Sequence, residues 1–273
     1  MIHGLEHIAI NTATMAETVH FYEKHFGAKT VRTAFLEGTG QELTYLQMGE
    51  GVIIELLGFS SKTDVLPGRD PGKKRLPGFN HIAFRVDGLD EVFAELSARQ
   101  VSFKVLPRKA VSGVGRIAFL IDPNTIEIEL LEQPSFRLRA SETPNRGTHS
   151  FESILYVVDI RASTDFYVAN FHFNQLEQCS AGGRPATYLE SPTGNLELIE
   201  VGGSEIGRQF SENPIVTVRV ADVGREVDRL AQENVRVLQR PRESGPGNTE
   251  YGVVCDAEGN KIKIAHSRAR GKR

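Results

Sequence analysis

The chain has 273 residues, 40% of them hydrophobic and 25% charged, a globular composition sized for about two domains that excludes disorder, collagen and coiled coil. Lys+Arg 32 against Asp+Glu 35 leaves −3, so no overall field favours nucleic acid. Cys179 and Cys255 are too few for a disulfide framework or a thiolate zinc site, and no run approaches the roughly 18 apolar residues of a membrane helix, which together point to the cytoplasm.

Taken in order, the chain repeats itself. An apolar strand at 5–10 (LEHIAI) stands where a signal peptide would begin; it leads into a helix, MAETVHFYEKHF, and two strand-like runs, LTYLQM and VIIELL. The basic loop Gly68 to Arg75 follows. A second copy runs through FNHIAFRV (79–86), the amphipathic LDEVFAELSARQ (89–100), RIAFLID (116–122) and IEIELL (126–131). Gln133 to Gly147, with Pro134, Pro144 and Gly147 among mixed charges, reads as a linker. The third copy opens at FESILYVVDI (151–160), with DFYVANFHF as helix and LELIEV as last strand; the fourth opens at IVTVRVADV (215–223), with VGREVDRLAQEN as helix and KIKIAH at its end. The predicted fold class is α+β, four βαβββ modules paired into two curved mixed β-sheet domains. The expected boundaries are 1–132 (modules one and two), 133–149 as linker, 150–267 (modules three and four), and a basic tail at 268–273.

Spacing inside the copies carries the chemistry. His7 lies 48 residues before Glu55, and His81 lies 48 before Glu129. Each His sits near the start of a first strand, and each Glu sits among aliphatics in a last strand. Alternation puts His81, Ala83 and Arg85 on one face. A carboxylate among Val, Ile and Leu is costly to bury unless paired, protonated or bound to a metal. Two such carboxylates and two such histidines at repeat-related positions point to a metal site.

The modules LEHIAI…FYEKHFGAKTV…VIIELL and FNHIAFRV…IDPNTIEIELLE resemble the vicinal-oxygen-chelate superfamily, which includes lactoylglutathione lyase, methylmalonyl-CoA epimerase, extradiol dioxygenases and bleomycin-resistance proteins. The resemblance covers all four modules. It implies paired modules wrapping a curved sheet around a metal, with ligands from the first and last strands, here His7, Glu55, His81 and Glu129. The Asp122-Pro123 turn, with Glu129 seven residues on, fits the same pattern. Glu127 competes for the last-strand position and shares its face, but the 48-residue frame favours Glu129. One divalent ion per chain (Fe, Mn, Co, Ni or Zn) would keep two open positions, suited to an enolate chelated through vicinal oxygens.

The resemblance therefore implies a proton-transfer lyase, isomerase or epimerase acting on a small-molecule substrate, with Glu129, or else Glu55, as the base. The alternatives are an extradiol dioxygenase and a drug-binding resistance protein. In lactoylglutathione lyases an Arg four residues after the first ligand His and an Asn four after the first Glu hold glutathione. Asn11 and Phe59 stand at those offsets, which argues against glutathione. Arg85 and Asn11 are the candidate substrate contacts. The C-terminal half departs from the pattern, with Ser153 at the third histidine position, Ile215 at the fourth and Lys263 in the 48-residue frame after it. It is expected to be structural, with Lys263 irrelevant to metal, and modules one and two are expected to pair, within one chain or across a homodimer. Tyr22 and Tyr167, repeated in equivalent helices, read as packing.

Overall fold

The computed structural model describes residues 2–35, 41–48, 52–59, 78–110, 115–132, 151–181, 183–201, 215–244 and 249–266. The basic loop, the linker and the basic tail lie outside them. Module one comprises β1 (Ile2–Thr12), α1 (Met15–Phe26), β2 (Lys29–Phe35), β3 (Glu42–Met48) and β4 (Val52–Gly58). Module two comprises β5 (Gly78–Arg85), α2 (Leu89–Ala98), β6 (Phe103–Lys109), β7 (Arg116–Ile121) and β8 (Glu127–Glu132). Module three is β9 (Phe151–Val157), α3 (Ile160–Phe171), β10 (Asn174–Ala181), β11 (Arg184–Ser191) and β12 (Gly194–Glu200). Module four is β13 (Ile215–Val220), α4 (Val223–Gln232), β14 (Val237–Ser244), β15 (Thr249–Cys255) and β16 (Lys261–His266). The repeated βαβββ order is as the sequence predicts.

The helices begin and end for local reasons. Asp159 accepts a hydrogen bond from the Ala162 amide (2.9 Å), and Asp222 accepts one from Arg225 (2.8 Å), each capping a first turn. Gly27 ends α1 in the left-handed region at φ 65°. No helix among the described residues is long and apolar enough to cross a membrane.

Two eight-stranded mixed sheets result. Sheet A runs β14-β15-β16-β13-β1-β4-β3-β2, and sheet B runs β10-β11-β12-β9-β5-β8-β7-β6. Within a module the first and last strands are parallel; between modules the two first strands meet antiparallel, β1 with β13 and β5 with β9. The expectation that modules one and two share a sheet is thereby overturned: module one pairs with four, and module two with three. Every first strand offers the same kind of open backbone edge, so the ladder itself encodes no partner. The halves 1–132 and 150–267 each supply half of both sheets.

One face of each sheet packs into a common core. Ile8 and Ile10 of β1, Ile82 and Phe84 of β5, Leu155 and Val157 of β9, and Val216 and Val218 of β13 all belong to it. Module one meets module two here, through Phe26 against Phe84 at 5.4 Å between ring centroids. The Tyr22 hydroxyl donates to Asp122 at 3.1 Å, and Tyr167 repeats the bond to Asp256 at 2.9 Å. Asp122 Oδ1 also accepts from the Asn124 and Ile126 amides, each at 2.8 Å. That turn sets the start of β8, and a buried phenol holding it is a packing role.

Candidate functional site

Because side chains alternate along a strand, the residues between those core positions face the other way. His7, Ala9 and Asn11 lie on the far side of sheet A from the shared core, and His81, Ala83 and Arg85 lie on the far side of sheet B. The four expected ligands therefore form two pairs on two sheets, and the single centre of His7, Glu55, His81 and Glu129 does not exist.

Strand register shows what each pair faces. In sheet A, His7 is opposite Thr217 and Ala9 opposite Ile215. A local twofold axis thus exchanges His7 with Ile215 and Ala9 with Thr217. On the parallel rungs Ala9 sits beside Glu55, and Thr217 beside Lys263. In sheet B, His81 is opposite Ile154 and Ala83 opposite Glu152, so the same operation exchanges His81 with Glu152. Ala83 sits beside Glu129 and Ile154 beside Glu197. The four equivalent positions are His7, Glu55, Ile215 and Lys263 in sheet A, and His81, Glu129, Glu152 and Glu197 in sheet B.

This corrects the third module. Ser153 does not stand at the histidine position: it is fully buried and alternates with the core residues Leu155 and Val157. Glu152, located by its backbone pairing, takes that place. Ile215 and Lys263 stand where the 48-residue frame puts them.

In sheet A the centre is an ion-pair network. His7 Nε2 lies 2.8 Å from Glu55 Oε2. Lys263 Nζ donates to both Glu55 oxygens, at 2.7 and 3.1 Å, and the Tyr45 hydroxyl donates to Oε1 at 2.8 Å. Burial alone would push the Glu55 carboxyl up, but the Lys263 ammonium and then His7 more than offset it and hold it well below the usual carboxylate range. Lys263 also lies over the Tyr251 ring at 5.2 Å. Lys263, expected to be irrelevant to metal, is thus the partner of Glu55, one of the four expected ligands.

Sheet B differs in charge. His81 Nε2 is 3.0 Å from Glu129 Oε2, and the Phe119 ring braces the imidazole edge-on at 5.3 Å. Glu129 is 9% exposed, and among the described residues no lysine or arginine pairs with it. The competitor Glu127 is bound by Lys104 at 2.5 Å, which removes it from consideration. Glu197 is buried on β12 beside Ile154. As they stand, no three His, Cys, Asp or Glu side chains among the described residues converge on one point. The donors a metal would draw together are the His81–Glu129 pair and the residues across the twofold. Around them lies an apolar surface of Ala83, Ile154, Tyr156, Ala186, Ile199 and Val201. Arg85 is on the same face, next to Leu131. Asn11, its counterpart in sheet A, is buried beside Leu57. Arg108 and Lys109 are exposed on the edge strand β6.

Known proteins resemble this chain in sequence and fold. The sequence profile of the Glyoxalase/Bleomycin resistance protein/Dioxygenase superfamily matches residues 4–130 and 149–264. A lactoylglutathione lyase of Schizosaccharomyces pombe is 28% identical over 179 residues, which is 60% of this chain and 57% of the lyase; the match spans little more than half of that relative. The uncharacterized protein YaeR of Escherichia coli is 27% identical over 129 residues, 47% of this chain and 95% of YaeR. Among solved structures, glyoxalase I from Zea mays superposes with a TM-score of 0.73 at 20% identity, covering 96% of this chain and 92% of that one. A putative dioxygenase from Bacillus subtilis gives 0.71 at 15%, covering 98% and 86%. These two likenesses speak for the fold alone. With its profile matched in both halves, the chain belongs to the Glyoxalase/Bleomycin resistance protein/Dioxygenase superfamily.

Proposed function

We propose that the chain is a metal-dependent enzyme of the glyoxalase type whose centre lies on sheet B, with His81, Glu129 and Glu197 as ligands of one divalent ion. The observation that carries this reading is the contrast between two buried carboxylates. Glu55 has Lys263, whereas Glu129 has only the His81 imidazole beside it and no lysine or arginine among the described residues. A buried carboxylate without a cation or proton is strongly disfavoured. One imidazole and two carboxylates form a hard to borderline donor set that suits Fe, Mn, Co, Ni or Zn.

When bound, such an ion supplies Lewis-acid stabilisation of the negative charge that develops on two vicinal oxygens of a substrate. The chain's own residues supply the rest. Glu129, which would help hold the ion, would also move the proton from the carbon beside the carbonyl, because a carboxylate is basic enough to take it up. The apolar surface around Ala83 and Ile154 excludes water, which strengthens every charge interaction inside. Arg85 meets an anionic group of the substrate. Relocating the centre also changes the argument about glutathione. The arginine that lactoylglutathione lyases carry four residues after the ligand His is missing in module one, but Arg85 stands four after His81. A glutathione-linked small molecule is accordingly the first substrate to try, in the cytoplasm as the expected location.

Metal analysis of the purified protein tests the reading. One ion per chain is expected, lost in Glu129→Ala with Glu197→Ala and kept in His7→Ala with Glu55→Ala; the reverse pattern refutes it. Formation of lactoylglutathione from glutathione and a 2-oxoaldehyde is then assayed with and without air. A requirement for oxygen would favour the ring-cleavage alternative.

A further inference from the structure

Sheet A holds the same four positions as sheet B, yet its residues do not fit a metal. Ile215 offers no donor atom, and with Glu55 set on Glu129, Lys263 stands where sheet B has Glu197. The lysine is no bystander on the surface. Its side chain is 19% exposed, both oxygens of the almost wholly buried Glu55 accept its protons, and its ammonium rests on the Tyr251 ring. The network pairs one carboxylate with one ammonium, with the Tyr45 hydroxyl donating to Glu55 and His7 Nε2 2.8 Å from it. A divalent ion entering there would meet a fixed positive charge and find Glu55 already engaged.

We propose that Lys263 is a tethered cation that replaces the metal in sheet A, so that this half of the molecule is a metal-free copy of the centre. The chain carries out this replacement with one side chain. An ammonium held at 2.7 Å from Glu55 gives the buried carboxylate the positive charge that an ion would otherwise provide, and it does so in every molecule, independent of metal supply. Two consequences distinguish this from a chance surface lysine. Removing the ammonium leaves Glu55 buried and short of a cation, and supplying a third protein ligand in its place opens the position to a divalent ion held by His7, Glu55 and the new carboxylate. The argument rests on the reading that the equivalent positions of sheet B hold a metal, and the experiment keeps the two apart.

The probe is Mn²⁺ or Zn²⁺ alone, counted per chain after dialysis. In the intact protein the expected count is one, and Lys263→Glu raises it to two. In a background disabled in sheet B by Glu129→Ala and Glu197→Ala, the expected counts are zero without Lys263→Glu and one with it. If the unmodified chain binds no metal but Lys263→Glu binds one, the reading of sheet B fails and the inference stands. If the unmodified chain binds an ion that is lost on His7→Ala with Glu55→Ala, or if a folded Lys263→Glu gains none, the inference is overturned. Should Lys263→Glu not fold, Lys263→Met in the sheet-B-disabled background serves instead. Its melting temperature should fall by several degrees and recover with added Zn²⁺, while the parent with Lys263 intact shows no response to metal. A melting temperature unmoved by the substitution or by the metal would overturn the inference equally.

Discussion

The turn that launches β8 is the place where pH should act on the fold. Asp122 is buried, and loss of hydration pushes its carboxyl up to about 6 from an ordinary 3.8, the largest effect; the hydrogen bonds from Ile126, Asn124 and Tyr22 pull the other way without cancelling it. A folded-state value above the unfolded one means that the folded protein holds this proton more tightly. Its contribution to stability is therefore fully present below about pH 4 and is lost as pH rises through about 6. The shift of about two units corresponds to about 3 kcal/mol at about 1.4 kcal/mol per unit. The perturbation is Asp122→Asn, which keeps an oxygen for the Asn124 and Ile126 amides but has no charge at any pH. Urea unfolding of both proteins at half-unit steps from pH 4 to 8 gives the difference in stability, in which the other titrating groups cancel. The unmodified protein should lose about 2.5 kcal/mol relative to the variant across that range, most of it between pH 4.5 and 6.5. The asparagine costs the Asn124 side-chain amide one of its two acceptors (3.2 Å), Thr18 remaining, which takes about 1 kcal/mol at every pH and offsets the curve without bending it. A pH-independent difference, or one of opposite slope, would refute the reasoning.

Glu129→Gln keeps an oxygen ligand but not the basicity, so it should retain a substantial share of the metal while exchange of the substrate proton with deuterium oxide falls by about 10²-fold or more. Arg85→Met should raise KM for an anionic substrate about tenfold or more with little change in kcat, as read from initial rates, because it removes a contact made equally in ground and transition states. Tyr22→Phe and Tyr167→Phe should each lower unfolding free energy by about 0.5–1.5 kcal/mol, since each removes one of the hydrogen bonds to a buried carboxyl that keeps its Asn donor, and neither should change metal content. Gly252→Ala would bring a Cβ to 2.9 Å from Val227 Cγ2 and 3.2 Å from the Gln239 carbonyl oxygen; the crowding between β15 and α4 should cost about 1–3 kcal/mol in denaturant unfolding.

What the sequence made legible was whatever repeats with a fixed period. Alternation on LEHIAI and FNHIAFRV puts each histidine on the face opposite the core, and the 48-residue frame picks Glu129 over Glu127, whose tie to Lys104 only the folded sheet displays. Two things stayed out of reach, each for a physical reason. Glu152 was hidden because module three is shorter. The spacing from Glu152 to Glu197 is three residues less than in the first two modules, and aligning FESIL on FNHIA by its phenylalanine puts Ser153 under His81. Alternation could not repair the slip, because β9 is apolar on both faces, with Ile154 and Tyr156 on one and Leu155 and Val157 on the other. The pairing of modules was hidden because it is written in backbone edges that all four first strands possess. Counting histidine and glutamate ligands then favoured modules one and two, and that count had already missed a donor in module three.

The crossed pairing has a consequence for how the chain reaches its native state. Sheet B is closed by strands from adjacent modules, but sheet A waits for Ile2 to meet Val220 and Ala9 to meet Ile215, contacts separated by more than 200 residues. Loop closure over such distances is slow. During synthesis β1 emerges first, and its open edge has to wait for β13, with β5–β9 assembling in the interval. That interval exposes an unpaired strand edge, the situation in which intermolecular pairing competes with folding. A second copy of residues 1–132 supplied in trans would present the same kind of edge, so strand exchange between chains is the failure that this topology must outrun.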